Sequence, residues 1–481
     1  MLEKTKIIWV YALTVVFLAV NFYLVVNKDI YWLFLLPIAL IVLYYYIVAL
    51  DKILLLITFF TPLAVNIQDL DMGLGVSLPT EPLMFGVLII FIANLLVNFK
   101  KYDGNVANHP ISYLIYFSLF WMMITTLTSE MPIVSLKYLI SRLWFVIPFF
   151  FIAVLMFKEK TYIKKFFWLY IVAFIIVIFY TISVHAKYNF DEETGHWVMS
   201  PFYNDHTAYG AALAMYLPVI VGFVFYPGAK KWARSFAVIT LVIFITAIIL
   251  SYSRAAWLSL GAAFGVFSMI LLKIKFKWIF LAVVVFLGLF FTFQDQIFDK
   301  LEKNKTESSQ NFVEHVESMS NISSDASNLE RINRWQSAIR LFSERPVFGW
   351  GPGTYQFVYA PYQRSKEKTI ISTNLGDKGN AHSEYLGPLA EEGLPGSLIV
   401  LLLVGFIVYT GIKVFIKTHD REVKFLTMMA LLGLITYFTH GFLNNFLDTD
   451  KLSVPFWGFV AIIVALDVYH LTDEEKKHKI V

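Results

Sequence analysis

Apolar runs of about twenty residues, each bounded by charged or turn-forming residues, recur along most of this 481-residue chain. No other feature constrains the fold as strongly. A helix of ~20 residues spans the ~30 Å hydrocarbon core of a bilayer. Inside lipid, backbone N–H and C=O groups find partners only in helices and closed barrels. The runs lie near 7–26, 30–50, 53–67, 83–99, 110–128, 133–157, 162–184, 206–226, 235–252, 255–272, 278–293, 394–416, 423–440 and 454–470. With 58% hydrophobic and 15% charged residues, they predict an all-α polytopic membrane protein of about 14 transmembrane helices, within a range of 12 to 14. Residues 1–293 would hold helices 1 to 11 and 294–393 one large helical extracytoplasmic loop domain. Residues 394–470 would hold helices 12 to 14, and 471–481 a cytoplasmic tail.

Cytoplasmic loops of such proteins are rich in Lys and Arg, and the predicted loops alternate accordingly. Lys4 and Lys6, Lys52, Lys100 and Lys101, Lys158 to Lys165, Lys230 to Arg234, Lys273 to Lys277, Lys413 to Lys424 and Lys476 to Lys479 fall on one side. Lys28, Lys187, Arg254 and Lys451 are the sparse cations of the short loops opposite. Both termini are therefore expected in the cytoplasm and residues 294–393 outside, in a multi-pass membrane protein. The first apolar run lacks a small-residue cleavage site and is long enough to span, so it reads as a retained helix. The positive-inside bias accounts for the net charge of +4, which leaves no sign of a nucleic-acid partner. Zero cysteines exclude a disulfide framework and thiolate chemistry.

Within the outer loop, residues 294–326 are too polar to bury much apolar surface. Order is expected from Ser327-Asn-Leu-Glu330, which has the form of a capping box, through a helix ending near Phe342. Leu329, Ile332, Trp335, Ile339 and Phe342 share one face of that helix. The helical wheel sets Arg331 at the edge of the face and Arg334 away from it, predicting a partly buried Arg331 and a solvated Arg334. The following Arg345-Pro-Val-Phe-Gly-Trp-Gly-Pro-Gly-Thr-Tyr355 forces tight turns. Its amides could form an anion-binding nest, or it could be a connector anchored by Trp350 and Tyr355. A second helix, capped near Asn380, carrying His382, kinked by Pro388 and ended by Gly393, is expected next. Glu391 and Glu392 would occupy its last turn, where the helix dipole disfavours anions, so a basic partner such as an arginine is expected.

Several ionisable groups gather at the predicted outer face. A titratable imidazole at position 382, just before a span, suits proton transfer. Arg254 is a cation on the side where cations are rarest. It either snorkels to headgroups or clamps a phosphate through its bidentate fork. Asn204, His206, His185 and His440 fall at outer helix ends, as caps or as lining of a polar cavity. Lys137 and Arg142 lie inside an apolar stretch, and either face a cavity or sit on an interfacial helix. Asp69-Leu-Asp71 and Asp448-Thr-Asp450 have the Asp-x-Asp form that can hold a metal and a diphosphate. Such triplets are common in outer loops, and no metal site is assigned.

A long outer loop ending in His-x-x-x-Leu-x-x-x-x-Glu-x-Gly-x-x-Gly, here His382, Leu386, Glu391, Gly393 and Gly396, resembles the O-antigen ligase and polymerase superfamily of bacterial envelope proteins. Phe202-Tyr-Asn-Asp-His-Thr-Ala208, Ser253-Arg254, and Arg331-Ile-Asn-Arg-Trp335 followed by Pro346 and Gly349-Trp-Gly-Pro-Gly353 are similar to the same family. The likeness runs from about 200 to 460. It implies metal-independent, inverting transfer of a glycan from undecaprenyl diphosphate to a hydroxyl acceptor, lipid A core or another glycan, at the outer face. His382 would be the general base and Arg254 and Arg331 the diphosphate clamp, facing one cavity. Arg334, Glu391, Glu392, Asn204, His206 and Arg142 would support them. No cofactor is implied. The ligase reading competes with a polymerase of the same superfamily. Two others stand further off: a metal-dependent transferase using a polyprenyl monophosphate sugar, and a transporter.

Overall fold

The computed structural model describes residues 2–67, 76–97, 103–274, 326–365, 368, 372 and 379–477. The chain separates into two compact units, Met1–Leu54 and Leu55–Val481. The first holds α1 (Leu2–Lys28), a 3-10 turn (Trp32–Leu35) and α2 (Leu36–Val48), and α3 (Leu50–Phe60) begins within it.

In the second unit a two-stranded antiparallel hairpin, β1 (Val65–Ile67) with β2 (Val76–Leu78), pairs Val65 with Leu78 and Ile67 with Val76. It leads into α4 (Thr80–Val97), the single turn α5 (Gly104–Ala107) and α6 (Pro110–Leu127). Then α7 (Pro132–Val146) passes through a π-helical segment (Ile147–Ile152) into α8 (Ala153–Met156). Pro148 enters that segment and removes a backbone donor, which loosens the regular ladder. After α9 (Lys160–Ala186) and the turn α10 (Glu192–Gly195) come α11 (His206–Val224), α12 (Lys231–Leu250) and α13 (Arg254–Leu271). The described chain resumes with α14 (Ala326–Glu344) and α15 (Tyr355–Val358), and closes with α16 (Leu386–Lys417), α17 (Arg421–His440), α18 (Asp450–Tyr469) and α19 (Asp473–Lys477).

Among the described residues 11 helices are long and apolar enough to cross a membrane. The molecule is an all-α polytopic membrane protein, as the apolar runs predict. Two of the 14 expected spans fall short. The run 53–67 is the 11-residue helix α3, roughly 16 Å long at 1.5 Å per residue, followed by a strand. The run 30–50 makes only the short apolar helix Trp32–Val48. Composition marks both as apolar but does not register where the helix stops. The expected span 278–293, the polar stretch up to 325, Lys100, Lys101, Lys275, Lys277, Lys479 and the Asp69–Asp71 pair lie outside the described residues.

The last helices in sequence form the centre of the second unit: 89% of α18 and 78% of α17 is enclosed by protein. Lipid supplies no hydrophobic drive between helices, so close packing and interhelical hydrogen bonds hold such a bundle. Gly433 of α17 admits the Phe459 ring and the Met215 carbonyl, and Tyr170 stacks on Tyr216 at 4.2 Å. Two polar clusters tie opposite ends of α18. Asp467 lies 3.2 Å from His109 Nε2 and 2.6 Å from Lys413 Nζ. At its start Asp450 accepts from Thr80 Oγ1 at 2.6 Å, and Lys451 Nζ donates to the carbonyls of Thr61 and Ala64 at 2.7 and 2.5 Å.

Candidate active site

Helix α14 and the loops around it make a small cluster on the Asp450 end of the bundle. Ala338, Leu341, Tyr355, Tyr359, Ala381 and Ala390 form its core, with Trp350 and Leu386 against it. The helix spans Ala326–Glu344, close to expectation, while the Ser327 side chain of the expected capping box lies outside the described residues. The Glu330 carboxylate lies inside the helix and binds Arg334 Nε at 2.6 Å, with Asn333 and Ser372 donating to it as well. Arg334 is therefore not the solvated residue expected from the wheel. It is 5% exposed, covers the Tyr359 ring at 4.3 Å and reaches the Asn380 carbonyl at 3.4 Å. A charge on the polar side of a helix can be buried when its counter-charge sits one turn away, and the Glu330–Arg334 spacing of four residues carried that signal. Arg331 is half-buried, as expected, and its Nε donates to the Leu443 carbonyl at 3.2 Å.

The glycine-rich loop does collect an anion, and the anion belongs to this chain. Tyr355 N donates to Glu391 Oε1 at 2.9 Å, while Trp350 N and Gly351 N cap the Ala390 and Glu391 carbonyls at 3.1 and 2.8 Å. The partner of Glu391 is thus a set of amides in place of an arginine. Gly351 has φ of 111°, and a Cβ there would meet Ser129 Oγ at 2.0 Å, so only glycine fits. Trp350 and Tyr355 serve as anchors too: Trp350 Nε1 donates to the Leu341 carbonyl at 3.0 Å and Tyr355 OH to the Arg334 carbonyl at 2.7 Å.

The helix expected from Asn380 begins only at Leu386, so Pro388 lies in its first turn, where it breaks no hydrogen bond. It halts at Gly393 (φ 72°), as the sequence suggests, and resumes with Pro395. Residues 380–385 form a turn instead of a helix, with His382 at φ 48°. A left-handed backbone costs a non-glycine residue about 1–3 kcal/mol unless its surroundings enforce it. Here both backbone groups of His382 are clamped: its N–H donates to Asn380 Oδ1 at 3.0 Å and its carbonyl accepts from Trp335 Nε1 at 3.3 Å. Burial, then the nearby Arg331 and Arg334, push its pKa down to about 4, with Glu330 and Asp205 opposing. The imidazole is neutral at ordinary pH.

The other sequence candidates divide. Asn204 is exposed, and Asp205 beside it caps α11 by accepting from Thr207 N and Ala208 N at 2.8 and 2.9 Å. His206 opens α11 and stacks on His196 at 4.2 Å, and His185 Nε2 lies 2.8 Å from the Asp191 carbonyl. His440, at the end of α17, lies within electrostatic reach of Arg331, Asp205 and His206. Arg254 is the half-buried first residue of α13, and Ser253 before it touches the Gly210 backbone one turn into α11. The structure thus draws Arg331, Arg334, Glu330 and Asp205 toward His382, with His440 beside Arg331 and Asp205. Asp205 and His440 were visible in the sequence only as helix-end residues.

On the opposite side of the same turn lies a cavity of about 910 Å³ between α4, α6, α7, α16, α17 and α18. Asn380, Ala381, Ser383, Glu384 and Tyr385 line it, whereas His382, Arg254 and Arg331 are not part of its lining. Its cations are Lys137 and Arg142, which resolves their reading toward a cavity over an interfacial helix. Arg142 donates to Tyr138 OH at 2.7 Å and the Leu447 carbonyl at 3.3 Å. Glu384 Oε1 accepts from Tyr437 OH, Phe446 N and Leu447 N at 2.6, 2.8 and 3.0 Å. Glu81, Glu391, Glu392 and Asp448 complete the acidic lining. Burial and Glu384 raise the Asp448 pKa to about 6. Asp448 lines the cavity while Asp450 binds Thr80, so the two carboxylates of that Asp-x-Asp triplet point to different tasks. No group of three or more His, Asp or Glu suited to a metal occurs among the described residues.

Comparison with known proteins singles out this part of the chain. A curated protein of Haemophilus influenzae, described only as uncharacterised, is 22% identical over 236 residues, 48% of this chain and 56% of the relative. The match thus spans little more than half of that relative's length. Residues 239–401 match the sequence model of a family described as O-antigen ligase, a stretch that includes Arg254, Arg331, Arg334, His382, Glu391 and Glu392. The match supports the superfamily resemblance carried by the His382 motif over residues 239–401 of a multi-pass membrane protein.

Proposed function

We propose that the protein is an O-antigen ligase-like glycosyltransferase. It would move a glycan from undecaprenyl diphosphate to a hydroxyl acceptor, lipid A core or a similar glycolipid, at the periplasmic face of the inner membrane. The observation that carries this reading is a neutral histidine, locked in a left-handed turn beside two arginines, within the segment that matches the family.

In the transfer the acceptor oxygen attacks the anomeric carbon as the bond from that carbon to the diphosphate oxygen breaks. His382 takes the hydroxyl proton, and the electron pair leaves on the diphosphate. One displacement inverts the anomeric centre, and no nucleophilic side chain is needed. Arg331 and Arg254 would hold the diphosphate and stabilise the charge it gains, commonly the largest catalytic contribution. Arg334, bound to Glu330 and to the Asn380 carbonyl, acts as a positioning residue for the His382 turn.

The electrostatics give the base a dependence on its donor. Without a ligand Arg331 and Arg334 hold the imidazole pKa low; a diphosphate held by Arg331 would offset part of that charge and raise it. His382 would become a stronger base only once the donor is bound.

Mass spectrometry of envelope glycans from cells carrying wild type, His382→Ala or Arg254→Ala tests the reading. Both variants should lose the transferred glycan, and normal glycans in both would overturn the mechanism. Deleting the gene separates ligase from polymerase. Long chains left on the carrier mark a ligase, and single repeats joined to the acceptor mark a polymerase.

A further inference from the structure

The cavity on the far side of the His382 turn is not used by the diphosphate chemistry, yet its walls hold polar groups that nothing satisfies. Trp144 Nε1, Trp457 Nε1 and Asn445 Oδ1 are buried without a hydrogen-bond partner among the described residues. Trp457 is 5% exposed, and all three residues line the cavity. Buried polar atoms in folded proteins are nearly always paired, so unpaired ones around an open space point to a missing ligand.

The inventory restricts the chemistry of that ligand. The two indoles can only donate and the amide oxygen can only accept. A lipid chain would satisfy none of them. An anion would find only Lys137 and Arg142 as cations in the lining, and Arg142 already donates to Tyr138 OH and the Leu447 carbonyl. A sugar hydroxyl both donates and accepts, and sugar C–H faces pack on aromatic rings such as those of Phe85 and Trp144, which meet edge-on at 6.3 Å. The volume of about 910 Å³ lies near the upper end of the roughly 300–1,000 Å³ usual for small-ligand sites.

We infer that this cavity is a binding site for a neutral saccharide, held by Trp144, Trp457, Asn445 and Glu392, and that it receives the sugar end of the acceptor. Only the last clause rests on the glycosyl-transfer reading. Ala381 and Ser383, flanking His382, line the cavity, so a sugar bound there abuts the turn that carries the base.

Isothermal titration calorimetry on the detergent-purified full chain tests it, with maltotriose and N-acetylchitotriose as neutral probes and trigalacturonate as the anionic one. At least one neutral probe should bind saturably and trigalacturonate should not. Trp457→Phe, which keeps a ring but loses the N–H, and Glu392→Gln should each weaken binding about tenfold. Asn445→Leu, also read by size-exclusion profile, serves if either is not monodisperse. Absence of neutral binding, undiminished binding in the cavity variants, or preference for trigalacturonate would each overturn the site. If saccharide binding behaves as expected while His382→Ala leaves envelope glycans normal, the transfer mechanism fails and the cavity assignment stands.

Discussion

The two sides of the 380–385 turn differ in charge and in how their polar groups are satisfied. On the His382 side, Arg331 and Arg334 outweigh the nearby acids enough to depress the imidazole pKa, and the backbone is clamped by Asn380 and Trp335. On the other side carboxylates outnumber cations, and indole and amide groups stay unpaired. On the proposed reading one side would take the leaving diphosphate and the other the uncharged hydroxyls of the acceptor. A transferase that joins a diphosphate-linked sugar to an alcohol would need both, separated by little more than its base. Gly351, Gly393 and the glutamate-capped loop make that separation rigid, because their close approaches fix the helix that follows the turn.

The comparison is broken most severely by removing the cation nearest the base. Arg331→Gln should lower kcat by roughly 10²–10³-fold, the loss usual for one group that stabilises developing charge, whereas Trp457→Phe should act mainly on the KM for acceptor. A pH profile separates loss of clamp from loss of fold. The active base is the neutral imidazole, so activity falls as pH drops through its pKa. Removing a cation raises that pKa from about 4, and the acid limb of kcat/KM should move to higher pH in Arg331→Gln. An unmoved limb would mean that Arg331 does not act on His382.

Next in size is the buried pair behind the turn. Glu330→Gln leaves the Arg334 guanidinium, 5% exposed, without its counter-charge. Breaking a buried pair from one side costs about 3–5 kcal/mol, so thermal unfolding in detergent should shift clearly downward. Cavity-side Glu392→Gln, with no ion pair to break among the described residues, should unfold close to wild type. Equal shifts in the two variants would erase the distinction between a braced side and an open side.

The bundle was legible in the sequence wherever an apolar run was long enough to span, because length alone decides that question. The run 53–67 misled because composition continues through a helix end that only chain geometry reveals. His382 and Arg331 stood out in the sequence as candidates through their motif. The burial of Arg334 could not be read from a wheel that scores apolarity alone, although Glu330 four residues earlier was in view. The partner of Glu391 was misjudged because a carboxylate can be satisfied by amides as well as by an arginine, and amides leave no mark in sequence. The unpaired indoles of Trp144 and Trp457 are silent for a related reason. Whether a donor is satisfied depends on what stands within about 3 Å of it, which no spacing encodes.

The smallest effect belongs to the residue that touches both sides. Asn380 lines the cavity and accepts from the His382 N–H at 3.0 Å. Asn380→Ala removes one hydrogen bond, typically worth about 0.5–1.5 kcal/mol, and with it part of the constraint that keeps φ of His382 positive. Stability should therefore fall by about 1 kcal/mol. The transfer rate should fall about tenfold, because the imidazole spends less time in its working position while its charged neighbours are unchanged. Asn380→Asp keeps the acceptor oxygen and should restore most of the rate, with the added carboxylate raising the His382 pKa and moving the acid limb upward. A rate equally impaired in both variants would show that Asn380 acts through the cavity it lines and that the clamped turn is incidental to catalysis.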